Sequence, residues 1–212
     1  MKEKFWQLTL VTNKGSAPTA PYLEFIERCL KAGITCVQLR EKSLPNEDLL
    51  HFGSSLKHLL DLYNVPLIIN DEPYLCIKLG AFGIHLGQSD MNVRKARAVL
   101  GADKIIGLSV NTLKDVENAL TLPIDYIGVG AIFPTHNKPN IETIWGLAGL
   151  RNASLISPYP IVAIGGIDES NTFSVINSGA DGIAAIGAFH RAADPFLTTK
   201  NLITIIMEAA HD

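Results

Sequence analysis

The chain has 212 residues, of which 47% are hydrophobic and 18% are charged, and its formal net charge at pH 7 is -3. This composition is typical of a folded protein with a large core and excludes a disordered chain, and the weak negative charge argues against nucleic acid as the main partner. No segment reaches the roughly 18 consecutive apolar residues of a membrane-spanning helix, so no membrane partner is expected.

The cysteines and the N-terminus favour a cytoplasmic protein. Cys29, Cys36 and Cys76 form no C-x-x-C pair and lie at no zinc-site spacing from histidines, which fits a reduced compartment. The first residues include two lysines, as in a signal peptide, but Gln7 and Thr9 interrupt a short apolar run. We therefore interpret this stretch as the first strand. The sequence leaves a monomer and a homo-oligomer equally open.

Short β-branched runs alternate along the chain with stretches of helical periodicity. Most of the runs are almost continuously apolar, which indicates burial on both faces in a parallel sheet covered by helices. The stretches between them place apolar residues at helical spacing, as Leu23, Ile26 and Leu30 show. Eight strands are predicted, at 7–12, 35–39, 66–70, 82–86, 104–109, 125–129, 160–164 and 182–186. The pattern predicts an α/β fold, a (β/α)8 TIM barrel, as one domain over 1–212.

Polar residues follow several of the predicted strands. In a barrel the loops after the strands form one face, and barrel enzymes carry their active site there. The sequence therefore predicts that side chains from distant parts of the chain converge at one mouth. The polar residues in these positions are Arg40, Glu41, Lys42, Asn70, Asp71, Asp90, Ser109, Thr135, His136, Asn137 and Lys138.

Two carboxylates, Asp71 and Asp90, are expected at the ends of neighbouring strands. They have no nearby histidine or cysteine in the sequence, which favours a hard cation such as Mg²⁺ over zinc. Mg²⁺ usually takes one or two carboxylates and completes its shell with water and substrate phosphate. The alternative is that both are solvated loop acids or helix caps.

The predicted rim also carries cations. With Mg²⁺ and the two aspartates, the charges of Arg40, Lys42 and Lys138 sum to about +3, which matches a substituted diphosphate of about -3. Glu41 is expected to face away from Arg40 and Lys42, because side chains alternate along a strand, and we interpret it as structural.

Glycines follow the seventh and eighth predicted strands, at Gly165, Gly166 and Gly187. Many barrels bind a phosphate monoester here through backbone N–H groups. The alternative is that these glycines serve tight turns alone. His85, inside the fourth strand, is expected to be a packed, hydrogen-bonded residue, whereas the role of His136 stays open.

Six motifs occur in the order found in one family. The chain resembles thiamine-phosphate synthases (thiamin phosphate pyrophosphorylases) over almost its whole length. The motifs are Q-L-R-x-K at 38–42, I-I-N-D at 68–71, H-L-G-Q-x-D at 85–90, G-x-S at 107–109, G-x-I-F-P-T-x-x-K at 130–138 and A-I-G-G-I at 163–167.

The resemblance implies an alkyl transferase with two small-molecule substrates. It would join 4-amino-2-methyl-5-hydroxymethylpyrimidine diphosphate to 4-methyl-5-(β-hydroxyethyl)thiazole phosphate, releasing diphosphate. The implied pyrimidine diphosphate contacts are Gln38, Leu39, Arg40, Glu41, Lys42, Asn70, Ser109 and Lys138, of which Arg40, Lys42, Ser109 and Lys138 are expected to act catalytically on the leaving group. The implied thiazole phosphate contacts are Thr135, His136, Asn137, Gly166, Ile186 and Gly187. Asp71 and Asp90 would hold the Mg²⁺ cofactor.

Three positions depart from the pattern of the family. Asn137 stands where a threonine is common, Glu72 replaces a frequent arginine, and Gly187 replaces a serine, so one hydroxyl that could bind phosphate is lost. On this basis Gly187→Ser is expected to strengthen thiazole phosphate binding. Two alternatives remain, a related thiazole tautomerase, which needs no diphosphate clamp, and a non-catalytic protein that binds thiamine precursors or phosphates.

Overall fold

The computed structural model describes residues 5–135 and 143–210. Its strands form a closed, parallel barrel in the order β1 to β8, which confirms the predicted fold class. No strand end differs from the predicted run by more than one residue. The strands are β1 Leu8–Val11, β2 Cys36–Leu39, β3 Leu67–Asn70, β4 Gly83–Leu86, β5 Ile105–Val110, β6 Tyr126–Gly130, β7 Ile161–Ile164 and β8 Gly182–Ala185.

Helices connect successive strands and cover the outside of the barrel. They are α1 Thr19–Ala32, α2 Asn46–Leu62, α3 Pro73–Lys78, α4 Val93–Leu100, α5 Leu113–Ala119, α6 Gly146–Ile156, α7 Thr172–Asn177, α8 Gly187–His190 and α9 Pro195–Ala209. Local sequence sets several of their ends. Thr112 and Asp115 form a capping box at the start of α5, and the Asp194 carboxylate accepts the N–H groups of Phe196 and Leu197 at the start of α9. In the parts of the chain that the structure describes, no helix is long and apolar enough to cross a bilayer.

The strands separate two apolar layers. The larger layer lies between the sheet and the helices, with Leu39, Ile69 and Ile84 among its fully buried side chains. The smaller layer fills the inside of the barrel and includes Val11 and Ile68. This double burial explains why the strands are apolar at consecutive positions rather than at alternate ones.

Aromatic rings close the amino-terminal end of the barrel. The Phe5 ring, which is 6% exposed, meets Trp6, Phe82 and Tyr126 edge-on, with ring centroids 4.9, 5.1 and 5.9 Å apart. Edge-to-face pairs of this kind add to the free energy gained by burial. The rings therefore form a floor, and the opposite end of the barrel is left for the site.

We expect Phe5→Ala to lower the free energy of unfolding by about 3 kcal/mol, because it removes a buried ring and leaves a cavity under the barrel. Urea denaturation followed by circular dichroism measures the change. Phe173→Ala is the matched control, since the Phe173 ring is 39% exposed, and it should cost less than half as much. Equal losses for the two variants would contradict a stabilising floor.

Candidate active site

A cavity of about 580 Å³ opens at the carboxyl ends of the strands. All eight strands contribute to its wall, so residues far apart in sequence meet there. Of the predicted site residues, those that line it are Gln38, Arg40, Lys42, Asn70, Asp71, Asp90, Ser109, Thr135, Gly166, Ile186 and Gly187. His136, Asn137 and Lys138 lie outside the described residues, and their assignments stay predictions.

Two predicted contacts lie beside the cavity without lining it. The Leu39 side chain is buried in the layer between sheet and helices. The Glu41 carboxylate accepts the N–H of Lys14 at 2.6 Å and that of Gly15 at 3.1 Å, so it holds the loop after β1, as expected for a structural residue. Any substrate contact at these two positions would have to come from the backbone.

Asp71 and Asp90 meet at one corner of the mouth. Pairing of β3 with β4 sets Asn70 opposite His85, and the Asp71 N–H donates to the His85 carbonyl at 2.9 Å. Asp71 has a left-handed backbone, with φ of 66°. Asp90 is held by the Gly87 N–H, which donates to its Oδ2 at 2.6 Å. The two loops therefore bring both carboxylates to the same place.

Burial and the neighbouring carboxylate raise the pKa of Asp71 to about 6. Burial is the larger cause, followed by the hydrogen bond with Asp90 and its negative charge, while Lys42 acts in the opposite direction. The Lys42 Nζ lies 3.6 Å from Asp71 Oδ2, and the lysine side chain is 63% exposed. An exposed ammonium screens the pair only weakly, so this corner favours a further cation.

The donor set fits a hard divalent ion that keeps part of its own shell. Two carboxylates are what Mg²⁺ usually takes from protein, with water and phosphate oxygens as the remaining ligands. Throughout 5–135 and 143–210, no group of three or more His, Cys, Asp or Glu side chains is arranged to hold a metal. A metal held by Asp71 and Asp90 would complete its shell with water and substrate oxygens.

A second group of hydrogen bonds fixes the wall between β4 and β6. His85 Nδ1 lies 2.9 Å from the Tyr126 hydroxyl, and His85 Nε2 lies 2.8 Å from Ser109 Oγ. A Cβ atom at Gly128 would come within 2.7 Å of the His85 ring, so the glycine provides the space for the imidazole. His85 is a packed, hydrogen-bonded residue, as predicted, and it also lines the cavity.

The direction of these hydrogen bonds depends on the tautomer of the His85 ring. Burial raises the pKa of Tyr126 well above its usual value, so the phenol keeps its proton. A proton on the Tyr126 hydroxyl can be donated to His85 Nδ1, and in that tautomer Nε2–H donates to Ser109 Oγ. The Ser109 hydroxyl then has its own proton for a hydrogen bond into the cavity. Sequence reasoning identified Ser109 but missed Tyr126, which has no motif of its own.

The opposite side of the mouth is formed by glycines. Gly165 and Gly166 have φ of 100° and 69°, and a Cβ atom at Gly166 would come within 2.7 Å of Phe133 Cβ. Among the described residues, the Gly166 N–H has no protein acceptor. Backbone of this kind can approach an anion closely.

Arg191 also lines this side, although sequence reasoning did not single it out. Its guanidinium lies over Gly187, where a Cβ atom would come within 2.6 Å of the Arg191 Cζ. A serine at 187 would therefore meet the Arg191 guanidinium, which argues against the stronger thiazole phosphate binding predicted for Gly187→Ser. The i, i+4 spacing of the two residues is the only hint in the sequence. Glu72, by contrast, is exposed and is not among the residues of the cavity wall.

A neutral relay anchors the short helix α8. The Asn13 N–H donates to the Tyr22 hydroxyl at 2.8 Å, and that hydroxyl lies 2.7 Å from His190 Nε2. His190 Nδ1 lies 2.7 Å from the Ile186 carbonyl and donates to it. Burial lowers the pKa of His190 and raises that of Tyr22, so both groups are uncharged. The relay fixes the backbone on which Arg191 stands.

The barrel and its mouth define a class of protein. Paired carboxylates and cations on one side, with glycine loops after β7 and β8 on the other, are the features of a barrel enzyme that handles phosphorylated substrates. The thiamine monophosphate synthase family model matches residues 8–189. The chain therefore belongs to the thiamine monophosphate synthase family, which confirms the resemblance found in the sequence.

Individual relatives agree with this assignment. Thiamine-phosphate synthase of Chlamydia caviae is 50% identical over 206 residues, which covers 97% of this chain and 97% of the relative. The Chlamydia abortus protein of the same name is 52% identical with the same coverage. Thiamine phosphate pyrophosphorylase from Pyrococcus furiosus superposes with a TM-score of 0.87 at 31% identity, covering 97% of this chain and 98% of that one.

We expect Asp71→Asn to stabilise the metal-free protein at pH 8 by about 1 to 2 kcal/mol. At about 1.4 kcal/mol per pKa unit the full shift would correspond to about 3 kcal/mol, and we reduce this value because the Asp71 side chain is 24% exposed and solvent screens its charge. A pKa raised from 3.8 to about 6 means that ionised Asp71 opposes folding, and this cost appears as the pH rises through about 6. The gain should therefore disappear near pH 4. Thermal or urea unfolding in chelator at both pH values measures it.

Asp103→Asn is the matched control, because it removes the same charge from an exposed position. It should change stability little at either pH. If Asp71→Asn destabilises the metal-free protein at pH 8, the carboxylate pair is not repulsive and the description of this corner is wrong.

Proposed function

We propose that the chain is a thiamine-phosphate synthase that joins the pyrimidine diphosphate to the thiazole phosphate. The observation that carries the proposal is the corner where Asp71, Asp90 and Lys42 meet, with Lys42 Nζ 3.6 Å from Asp71 Oδ2. A repulsive carboxylate pair beside cations suits a diphosphate that arrives with a metal ion. The names of the Chlamydia and Pyrococcus relatives support the same activity.

The cavity has room for two small substrates. Its volume of about 580 Å³ lies within the ordinary range of small-molecule sites, roughly 300–1,000 Å³. Its two sides differ, since charged groups lie after β2 to β4 and glycine backbone lies after β7 and β8. We place the diphosphate at the charged side and the thiazole phosphate at the glycine side, with the reacting atoms between them.

Asp71 and Asp90 would hold Mg²⁺. When bound, the ion would neutralise charge on the diphosphate oxygens. Arg40 and Lys42 both line the cavity. Among the described residues predicted to act on diphosphate, these two carry the positive charge. Lys138 is assigned the same role as a prediction. Loss of one such preorganised group typically costs about 10²–10³ in rate.

The proposed reaction is dissociative. The bond between the pyrimidine methylene carbon and the diphosphate oxygen breaks, and the electron pair leaves with diphosphate. The aminopyrimidine stabilises the resulting cation, and the thiazole nitrogen forms the new C–N bond with its lone pair. No base is needed to activate that nitrogen. In this proposal the hydrogen bonds that join Tyr126, His85 and Ser109 position the Ser109 hydroxyl for the pyrimidine diphosphate.

The remaining contacts follow the family pattern. Asn70 and Gln38 would bind the pyrimidine diphosphate, and Thr135, Gly166, Ile186 and Gly187 would bind the thiazole phosphate together with His136 and Asn137. A tautomerase needs no diphosphate clamp, so it would not account for the carboxylate pair. Glu72 departs from the family pattern but is not part of the cavity wall, so this departure gives little support to a non-catalytic binder.

A cytoplasmic location is supported by Cys29, Cys36 and Cys76, all free and buried.

The test mixes purified protein with both substrates and Mg²⁺ and follows diphosphate and thiamine phosphate by chromatography. We expect the two products in equal amounts, and no diphosphate above background when the thiazole phosphate is omitted. The Asp103→Asn variant should behave like the native chain. If both substrates bind and no product forms, the enzyme proposal fails. Isomerisation of a thiazole precursor without condensation would identify the tautomerase instead.

A further inference from the structure

Arg191 occupies the space that a side chain at position 187 would fill. The Arg191 N–H donates to the Gly187 carbonyl at 3.1 Å, which closes one helical turn and brings the guanidinium back over the glycine. A Cβ atom at 187 would come within 2.6 Å of the guanidinium carbon and still closer to Nη1. This placement of Arg191 therefore requires a glycine at position 187.

Arg191 is exposed and lines the cavity. Among the ion pairs of residues 5–135 and 143–210, none involves Arg191. Asp168 also lines the cavity, and it accepts the Ser170 N–H at 2.9 Å and the Ser170 hydroxyl at 2.6 Å. A cation with unused donors, beside the glycine backbone of Gly165 and Gly166, is suited to an anion.

We propose that Arg191 binds the phosphate group of the thiazole substrate and supplies the donor that Gly187 lacks. The inference rests on the proposed function for the identity of the substrate. Planar guanidinium groups pair with phosphate through two hydrogen bonds, so one arginine can replace more than a single hydroxyl. The family model ends at residue 189, and membership of the family therefore does not assign this role.

Although Arg191 is exposed, hydrogen bonds of the preceding residue fix the backbone that carries it. The His190 N–H donates to the Ile186 carbonyl at 3.1 Å, and the His190 ring joins that carbonyl to Tyr22. The Cα atom of Arg191 therefore follows a rigid turn at the edge of the cavity. Only the side chain needs to adjust when a phosphate enters.

Arg191→Ala is the first test. We expect the KM for thiazole phosphate to rise roughly tenfold or more, as the loss of hydrogen bonds to a charged group implies. The kcat and the KM for the pyrimidine diphosphate should stay within about twofold of the native values, and Arg191→Lys should lie between the two proteins. Arg151→Ala, at an exposed position on α6, removes the same charge and should change nothing.

Gly187→Ser tests the geometry. In the native chain the serine must displace the guanidinium, so the KM for thiazole phosphate should rise. In the Arg191→Ala background the space is empty, and the serine hydroxyl should lower the KM below that of Arg191→Ala alone. This reversal of sign is not expected of an arginine that merely adds positive charge. Equal effects of Gly187→Ser in both backgrounds would overturn the proposed contact.

Binding measurements separate this proposal from the proposed function. Calorimetry with thiazole phosphate, without the pyrimidine substrate, needs no turnover, and the unphosphorylated thiazole alcohol is the matched probe. Arg191→Ala should weaken binding of the phosphate and leave that of the alcohol unchanged. If Arg191→Ala weakens phosphate binding but the native protein makes no product, the proposed function is wrong and the Arg191 phosphate site is supported. Unchanged phosphate binding in a folded, active Arg191→Ala variant would reject the site alone.

Discussion

The repulsion between Asp71 and Asp90 organises the charged side of the mouth. The Asp71 N–H donates to the His85 carbonyl, which fixes the Asp71 backbone, and the Asp90 carboxylate accepts the Gly87 N–H. Partial burial makes the contact more costly, which is why the pKa of Asp71 rises to about 6. Lys42 offsets only part of this repulsion, so the pair would gain from a further cation. Under the proposed function, this cost to stability would favour the binding of a metal-bound diphosphate.

Two hydrogen-bonded His–Tyr pairs hold parts of the mouth in place. His85 and Tyr126 orient Ser109 from inside the barrel, whereas His190 and Tyr22 secure the turn that carries the glycine side. Both tyrosines keep their protons because they are buried. The uncharged pair of His190 and Tyr22 adds no charge to a mouth that already holds carboxylates and cations. Positioning and electrostatics are therefore supplied by different residues.

The sequence predicted what depends on periodicity. Strands buried on both faces must be apolar throughout, so their positions followed from the runs themselves, and alternation correctly separated Glu41 from Arg40 and Lys42. The sequence did not predict features that depend on tertiary packing. Glu72 seemed close to the metal site because it follows Asp71, yet it lies at the start of α3 and is exposed.

The sequence did not predict a role for Arg191 for a related reason. Nothing in its local sequence distinguishes it from a solvated arginine, and its placement over Gly187 depends on the turn of α8. Tyr126, likewise, begins an ordinary apolar strand, and only the barrel brings it to His85. Contacts between side chains of different strands can be identified only in the closed fold, whereas the ends of those strands can be predicted from the local sequence.

Equilibrium binding of diphosphate to the native chain and to an Asp71→Asn, Asp90→Asn double variant, each with and without Mg²⁺, tests the central claim most directly. The native protein should bind diphosphate much more tightly when Mg²⁺ is present, because the carboxylates then meet the anion through a cation. The double variant should lose most of that dependence. Equal dependence on Mg²⁺ in the two proteins would show that the carboxylate pair is not the metal site.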